Sequence, residues 1–165
     1  MREYRVAILT VSDKGSRGER EDLSGQAVEE AVLEQGWRVE ARDMVPDEVE
    51  EIEARLKHYS DELGVDLVLT TGGTGLSPRD VTPEVTTRVI EREAPGFAEA
   101  MRAASLQVTP HAMLSRAVSG IRSSTLIVNL PGSPRAAREN LDVILPALPH
   151  GLDKLCGDEG ECATT

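Results

Sequence analysis

Residues 70–75 (TTGGTG) form the segment of this sequence best suited to binding a phosphate group. Glycine permits positive φ angles and lets backbone N–H groups approach a ligand closely, and the threonine hydroxyls add further donors. A helix predicted to begin near Thr82 would point the positive end of its dipole at the same place. The segment lacks the Gly-Lys-Ser/Thr of a Walker A loop and is not a G-x-G-x-x-G dinucleotide motif, so neither of those loops is predicted. The alternative interpretation is a tight structural turn.

Two aspartates in separate loops are candidates for catalysis and for binding a divalent cation. Asp80 follows the glycine-rich segment, and Asp47 stands after Pro46 at the end of another strand-like run. Mg2+ is typically held by one or two carboxylates together with substrate phosphates. Helix capping is the alternative role for both side chains. Thr82, followed by Pro83, is the better-placed cap for the helix after Asp80.

Two further loops are candidate ligand contacts. Residues 129–134 (NLPGSP) follow a strand-like run, where Gly132 allows close approach and Ser133 offers a hydroxyl at a helix start. A plain strand-to-helix turn is the alternative for this loop. Ser12 and Asp13 close the first strand-like run and complete the set of polar residues at strand ends.

The histidines and cysteines carry weaker signals. His58, His111 and His150 are scattered without metal-ligand spacing and are interpreted as structural or surface residues. Cys156 and Cys162 are interpreted as reduced thiols, with a regulatory disulfide or a metal clip as the alternative.

Apolar patterns of strand and helix period alternate along the chain, which predicts strands that alternate with helices. This order implies right-handed βαβ units and a mostly parallel sheet with helices on both faces, an α/β fold of the three-layer α/β/α sandwich type. Residues 115–121 predict an antiparallel edge strand, joined to the next strand by a turn at 122–124. The other predicted strands span 4–11, 37–45, 65–71 and 125–130, and the predicted helices span 23–35, 49–63, 83–93, 97–106 and 134–145.

Ligands of such sheets bind beyond the carboxyl ends of the parallel strands, so the loops after the strands should converge on one rim. Basic residues fall in or beside these loops, as an anionic ligand on an acidic protein requires. The sequence therefore predicts a phosphate site at this rim. The rim cations are Lys14, Arg17, Arg79, Arg116 and Arg135.

Charge and composition exclude several classes of partner. The chain has 165 residues with 18 basic and 29 acidic side chains, a net charge of -11. An acidic surface disfavours sequence-independent nucleic-acid binding and docking on anionic membranes. No apolar run approaches the roughly 18 residues of a transmembrane helix, and no signal peptide is recognised, so we expect a cytoplasmic protein. We predict a single domain over residues 1–152 and an acidic, mobile tail over 153–165.

The motifs together resemble those of MogA/MoaB-type molybdenum cofactor biosynthesis proteins, a family that includes the gephyrin G domain. The resemblance covers roughly residues 5–150. It rests on residues 70–75 with 79–84 (RDVTPE), and extends through 11–13 (VSD), 45–48 (VPDE), 95–97 (PGF), 114–116 (LSR) and 129–134.

The resemblance implies a molybdopterin-binding protein that adenylylates molybdopterin with MgATP. Asp47 and Asp80 match the family's catalytic aspartates, and Mg2+ would be held by the same pair. The family is usually trimeric or hexameric, which implies a homo-oligomer, and the molybdenum-insertion protein is an implied partner. The residues that match its substrate-binding segments are Ser12, Asp13, Thr70, Thr71, Gly72, Gly73, Thr74, Gly75, Arg79, Ser115, Asn129, Pro131, Gly132 and Ser133.

Two other functions remain open at this level. The chain is short, like MoaB-type members, some of which are thought inactive in adenylylation, so a non-catalytic molybdopterin carrier is the main alternative. A nucleotide-binding regulatory or scaffolding module on the same fold is the third hypothesis.

Overall fold

A computed structural model of the protein describes residues 2–157, and in it a six-stranded sheet lies between two layers of helices. The sheet order is β2-β1-β3-β6-β5-β4. The strands are β1 (Arg5–Val11), β2 (Arg38–Val45), β3 (Leu67–Thr71), β4 (Arg92–Glu93), β5 (Ser119–Arg122) and β6 (Thr125–Leu130). The helices are α1 (Asp13–Ser16), α2 (Leu23–Glu34), α3 (Val49–Lys57), α4 (Thr82–Val89), α5 (Gly96–Leu106), α6 (Pro134–Ile144) and α7 (Leu148–Leu155).

The central strands are parallel, and the edge of the sheet is antiparallel. β1 pairs with β2 and β3, and β3 pairs with β6, all in parallel, whereas β5 pairs with β6 and β4 in antiparallel fashion. The predicted α/β sandwich with an antiparallel edge strand is therefore confirmed. The order places the carboxyl ends of β1, β2, β3 and β6 side by side.

Alternate side chains along the strands belong to two separate hydrophobic clusters, one on each face of the sheet. Along β1, Val6 and Ile8 face one cluster while Ala7 and Leu9 face the other, as the two-residue period of a strand requires. The first cluster is closed by helices α2, α5, α6 and α7, and the second by α3 and α4. All of these β1 side chains are fully buried, so the sheet is covered on both faces.

The segment before β6 differs from its sequence prediction. α4 ends at Val89 instead of continuing to 93, because Arg92 and Glu93 pair with β5 as a short extra strand. The edge strand begins at Ser119 and not at 115, since residues 110–114 form a 3-10 turn first. The antiparallel hairpin itself is confirmed, and Ser123 in its turn has a φ of 53°.

The C-terminal boundary also differs from the prediction. The unpredicted helix α7 runs to Leu155, so the first residues of the predicted 153–165 tail belong to a packed helix. Tyr4 fixes this helix, because its hydroxyl donates to the Asp153 carboxylate at 2.8 Å and lies 3.0 Å from the Pro149 carbonyl oxygen. The Cys156 thiol is free and exposed, whereas Cys162 and the rest of the tail lie outside the described residues.

Among residues 2–157, no helix is both long enough and apolar enough to cross a membrane. The predicted helix at 49–63 ends its regular α-helical part at Lys57 and continues as a π turn over His58–Glu62.

Candidate active site

Two adjoining cavities open at the carboxyl ends of the parallel strands. One, of about 440 Å3, lies between α5, the 3-10 turn and α6, and we call it the α5–α6 cavity. The other, of about 870 Å3, is formed largely by the loops after β1, β2 and β3, and we call it the β1–β2 cavity. Gly73, Asp80 and Gly132 line both cavities. The predicted rim is therefore a pair of compartments that share one wall.

The glycine-rich loop, which forms part of this shared wall, packs closely against the neighbouring loops. Gly72 and Gly73 have φ angles of 91° and 67°, a region in which side chains are disfavoured. A Cβ atom on Gly72 would collide with the Val11 carbonyl oxygen, and one on Gly73 would collide with the Thr82 hydroxyl and lie 3.2 Å from the Asp47 carboxylate. Glycine is thus required here for close packing of three strand-end loops.

Part of the predicted phosphate cradle is already occupied by the protein itself. The Gly72 N–H donates to the Leu130 carbonyl oxygen at 3.3 Å, and the Thr82 N–H donates to the Gly73 carbonyl oxygen at 3.2 Å. The first N–H of α4 is therefore not available to a phosphate, contrary to the expectation from sequence. Thr82 does not cap α4 either, because its hydroxyl donates to the Gly72 carbonyl oxygen at 3.0 Å.

Asp47 and Asp13 form a reciprocal pair that joins the loops after β1 and β2. The Asp13 N–H donates to the Asp47 carboxylate at 2.9 Å, and the Asp47 N–H donates to the Asp13 carboxylate at 3.0 Å. Asp47 does not cap α3, whose N-cap residue is Glu48. Its carboxylate instead faces the β1–β2 cavity.

The electrostatic environment of Asp47 favours its neutral form. Burial raises the pKa of Asp47, and the negative charges of Asp13 and Asp80 raise it further, although the bond from the Asp13 N–H opposes them. A divalent cation between these carboxylates would offset the repulsion that contributes to the raised pKa of Asp47.

Arg79 crosses the mouth of the β1–β2 cavity. Its guanidinium donates to both carboxylate oxygens of Asp13, at 2.9 and 3.0 Å, and to Glu48 at 2.8 Å. Bonding to Arg79 lowers the pKa of Asp13. The Arg79 side chain is 53% exposed, and exposed ion pairs contribute little stability, so a substrate phosphate can compete for this guanidinium.

Asp80 is folded back over its own loop. Its carboxylate accepts from the Ser77 N–H at 2.9 Å, while its N–H donates to the Ser77 carbonyl oxygen at 2.9 Å. The carboxylate also stands 2.9 Å from where a Gly75 Cβ would be. Asp80 makes no side-chain cap bond to α4, whose N-cap residue is Val81. Its position in both cavity walls is the main geometric feature of the site.

Two residues predicted to contact substrate lie beneath the cavities instead. Thr70 and Asn129 are fully buried, and the Asn129 amide donates to the hydroxyls of Thr70 at 3.0 Å and Thr86 at 2.9 Å. The side-chain amide oxygen Oδ1 of Asn129 accepts from the Val118 N–H at 3.0 Å. Strand pairing between β3 and β6 places Thr70 opposite Asn129, so these polar groups satisfy each other inside the sheet.

The remaining predicted residues reach the cavities. Ser12 caps α1 by accepting from the Gly15 N–H at 3.0 Å, and Ser133 caps α6 by accepting from the Ala136 N–H at 3.1 Å, as predicted for Ser133. The lining of the β1–β2 cavity includes Ser12, Asp13, Thr71, Gly72, Arg79 and Ser133, and that of the α5–α6 cavity includes Thr74, Gly75, Ser115 and Pro131.

The predicted rim cations fall into three groups. Lys14 and Arg79 line the β1–β2 cavity. Arg17 and Arg135 line neither cavity and form ion pairs with Glu19 and Glu139. Arg116 is also predicted to face phosphates, but it lines neither cavity, and its guanidinium donates to the carbonyl oxygens of Gly75 and Asp80.

Sequence reasoning missed several lining residues. Arg20 and Asp22 enter the β1–β2 cavity from the segment before α2. Helices α5 and α6 contribute Arg102, Ser105 and Asn140 to the other cavity. His111, interpreted from sequence as a structural or surface residue, lines it as well. Only the density of polar residues after β1 could have indicated the first group, and the second depends on how α5 packs against α6.

A protein-only metal site is absent from the described residues, since no group of three or more histidine, cysteine, aspartate or glutamate side chains is placed to hold an ion. The oxygen donors of Asp47 and Asp80 fit Mg2+ only if substrate phosphates complete its coordination.

Comparisons with known proteins place the chain among molybdenum cofactor proteins. A family model described as a probable molybdopterin binding domain matches residues 7–150. A molybdopterin adenylyltransferase of Helicobacter pylori is 44% identical, covering 96% of this chain and 91% of that protein. The Escherichia coli K12 molybdopterin adenylyltransferase is 43% identical, covering 92% of this chain and 81% of the relative. The crystal structure of the molybdopterin biosynthesis enzyme MoaB of Thermus thermophilus has a TM-score of 0.89 and 52% identity, covering 94% of this chain and 98% of that one.

Proposed function

Because this chain belongs to the molybdopterin-binding-domain family of molybdenum cofactor biosynthesis, we propose that it is a molybdopterin adenylyltransferase that uses ATP. The terminal phosphate oxygen of molybdopterin attacks the α-phosphorus of ATP, and the bond from that phosphorus to the β-phosphate oxygen breaks. The products are molybdopterin-AMP and pyrophosphate. The observation that carries this proposal is the place of Asp80 in the wall between two adjoining cavities. We assign one cavity to each substrate.

We assign Mg2+ to Asp47 and Asp80. Both carboxylates line the β1–β2 cavity, and the pKa of Asp47 is raised by burial first and also by the negative charge of Asp80. Mg2+ bound there would neutralise charge on the transferring phosphoryl group. The Asp13 N–H and the Ser77 N–H hold the two carboxylates in place through their hydrogen bonds at 2.9 Å.

The protein's own groups position the two substrates and neutralise the charge of their phosphates, and they take little part in the covalent chemistry themselves. Arg79 and Lys14 bring positive charge to the β1–β2 cavity, where the triphosphate and the pterin phosphate both need it. Closely packed glycines let both substrates approach the same wall, so the attacking oxygen and the phosphorus can meet beside Asp80.

An assay with molybdopterin and MgATP tests the proposal. We expect the wild-type protein to release pyrophosphate and form molybdopterin-AMP. Asp80→Asn and Asp47→Asn should each reduce kcat by at least about 100-fold, because charge stabilisation at the reacting phosphorus is lost. Both variants should retain molybdopterin binding.

Asp61→Asn is the matched control, since Asp61 is an aspartate paired with Arg122 away from both cavities. Its kcat should equal that of the wild type. Unchanged product formation in the Asp80 or Asp47 variant would contradict the catalytic assignment. Retention of molybdopterin without pyrophosphate release by the wild type would instead support the non-catalytic carrier.

We also propose that the protein forms homo-oligomers. Several apolar side chains in the segment 106–114 are exposed, which is unusual for so short a stretch of a monomer. The exposed fractions are 42% for Leu106, 68% for Val108, 71% for Met113 and 47% for Leu114. Sedimentation velocity of the purified protein tests this, and a monomer at micromolar concentration would contradict it.

A further inference from the structure

We propose that Arg116 is a positioning residue for Asp80, a role that rests on the proposed function of Asp80 in adenylyl transfer. Arg116 lies just before β5, yet it contacts the loop between β3 and α4 at three points and α4 itself at a fourth. Among the described residues, Arg116 is not one of those that line either cavity. It therefore holds the loop without facing a substrate.

The contacts of Arg116 bracket the loop at both ends. Its backbone N–H donates to the Thr74 carbonyl oxygen at 2.9 Å. Its guanidinium donates from Nε to the Gly75 carbonyl oxygen at 2.8 Å and from Nη2 to the Asp80 carbonyl oxygen at 2.8 Å. One planar group thus fixes the distance between Gly75 and Asp80, at the two ends of the exposed part of the loop.

Glu84 in the first turn of α4 completes the arrangement by pairing with Nη1 of Arg116. Burial acts to raise the pKa of Glu84, but bonding to Arg116 and to a backbone N–H outweighs it and leaves the pKa lowered. The pair is therefore charged at neutral pH. It anchors the guanidinium to helix α4, so the position of the loop is fixed relative to that helix.

This bracket explains how the Asp80 carboxylate keeps its place on an exposed loop. Residues 76–79 are exposed, and the loop's internal bonds between Ser77 and Asp80 span only three residues. Arginine suits the role because its guanidinium presents several donors in a fixed plane. Lysine at position 116 would supply a point charge that cannot satisfy the two carbonyl oxygens and Glu84 in the same geometry.

Substitution of Arg116 tests the inference by two independent measurements. In Arg116→Gln we expect hydrogen exchange of the backbone amides in residues 75–80 to accelerate at least about tenfold, since charge-assisted hydrogen bonds are lost. This readout needs neither ATP nor Mg2+. We expect kcat for adenylyl transfer to fall about 10- to 100-fold through misplacement of Asp80, while the Kd for molybdopterin stays within about twofold.

Arg122→Gln is the matched control. Arg122 also donates to a carboxylate, that of Asp61, and to a carbonyl oxygen, that of Val89, at the far end of β5. It should lower Tm about as much as Arg116→Gln does, without changing loop exchange or kcat. Arg116→Lys should recover part of the loop protection, because its single ammonium nitrogen can still donate to one of the two carbonyl oxygens.

The outcomes separate the inference from its alternatives. Unchanged amide exchange in Arg116→Gln would overturn it, as would an equal loss of kcat in Arg122→Gln. A weakened Kd for molybdopterin with unchanged kcat would show that Arg116 contacts substrate. If the wild type lacked adenylyl transfer, the proposed function would fail, but the exchange measurement would still decide whether Arg116 holds the loop.

Discussion

The two cavities share a wall but differ in the chemistry of their linings. Eight ionisable side chains line the β1–β2 cavity, namely Asp13, Lys14, Arg20, Glu21, Asp22, Asp47, Arg79 and Asp80. Four line the α5–α6 cavity, namely Asp80, Arg102, His111 and Glu139. The first cavity is about twice as large, at 870 against 440 Å3. One compartment is therefore built for charge and the other for shape and hydrogen bonding.

The difference teaches how an acidic protein can bind two anions. Three basic side chains line the β1–β2 cavity together with five acidic ones. Arg79 is one of the three, and because it is shared between Asp13 and Glu48 it can be released to a phosphate. The other cavity contains small and apolar groups such as Ala136 and Val108 beside a few polar side chains. A net charge of -11 is compatible with phosphate chemistry where the basic side chains of the β1–β2 cavity and the proposed Mg2+ offset the carboxylates of that cavity.

The largest expected effect comes from filling the cavity built for shape. Ala136→Trp should lower the affinity for one substrate by about 100-fold and leave that for the other unchanged, because lost shape complementarity acts on one compartment only. Isothermal titration with molybdopterin and with a non-hydrolysable ATP analogue measures both affinities. Ala100→Trp, on the exposed side of α5, is the control with the same added volume. Equal weakening of both ligands would show that the compartments are not separate.

A smaller effect should follow from removing charge in the other cavity. Arg79→Gln should raise the KM of a phosphate-bearing substrate about tenfold at low salt, because a charge-assisted bond is lost. The difference from wild type should shrink at high ionic strength, as screening predicts. Steady-state kinetics over a range of NaCl concentrations measures it. Arg138→Gln provides the matched control, since Arg138 also lies between two acids, Glu34 and Asp142, but outside both linings. A salt-independent change in KM would contradict the electrostatic role.

The smallest effect concerns stability within the charged cavity. Since the pKa of Asp47 is raised, folding favours its protonated form, and its ionisation destabilises the protein as pH rises above the ordinary value of about 3.9. Asp47→Asn should therefore raise Tm at pH 7 by a few °C, on the order expected at this chain length. The gain should diminish as pH falls toward that ordinary value.

Asp13→Asn should do the opposite in the same thermal melts. Bonding to Arg79 lowers the pKa of Asp13, so its ionisation stabilises the fold above the ordinary aspartate value. That stabilisation is lost as pH falls through the lowered pKa. The Asn variant should accordingly have a lower Tm at pH 7. A Tm shift of the same sign in both variants would show that charge is not what distinguishes these two aspartates.

Sequence reasoning located most of the wall between the cavities. Residue type and position after a strand predict Gly73, Asp80 and Gly132 as ligand contacts, and all three line both cavities. It failed where a side chain's direction depends on long-range packing. Asn129 follows the same rule of strand-end position, yet it points into the sheet because β3 and β6 pair in parallel with Thr70 opposite.

Local physics explains what the sequence alone determined. Hydrophobic periodicity, turn residues and helix starts such as Ser133 act over a few residues, so the order of strands and helices and the place of the ligand loops can be deduced from them. The tertiary structure alone decided that α5 and α6 enclose a second cavity and that Arg116 turns under the Gly75–Asp80 loop. Those outcomes depend on contacts between residues 32 to 41 positions apart, for which no local pattern carries a signal.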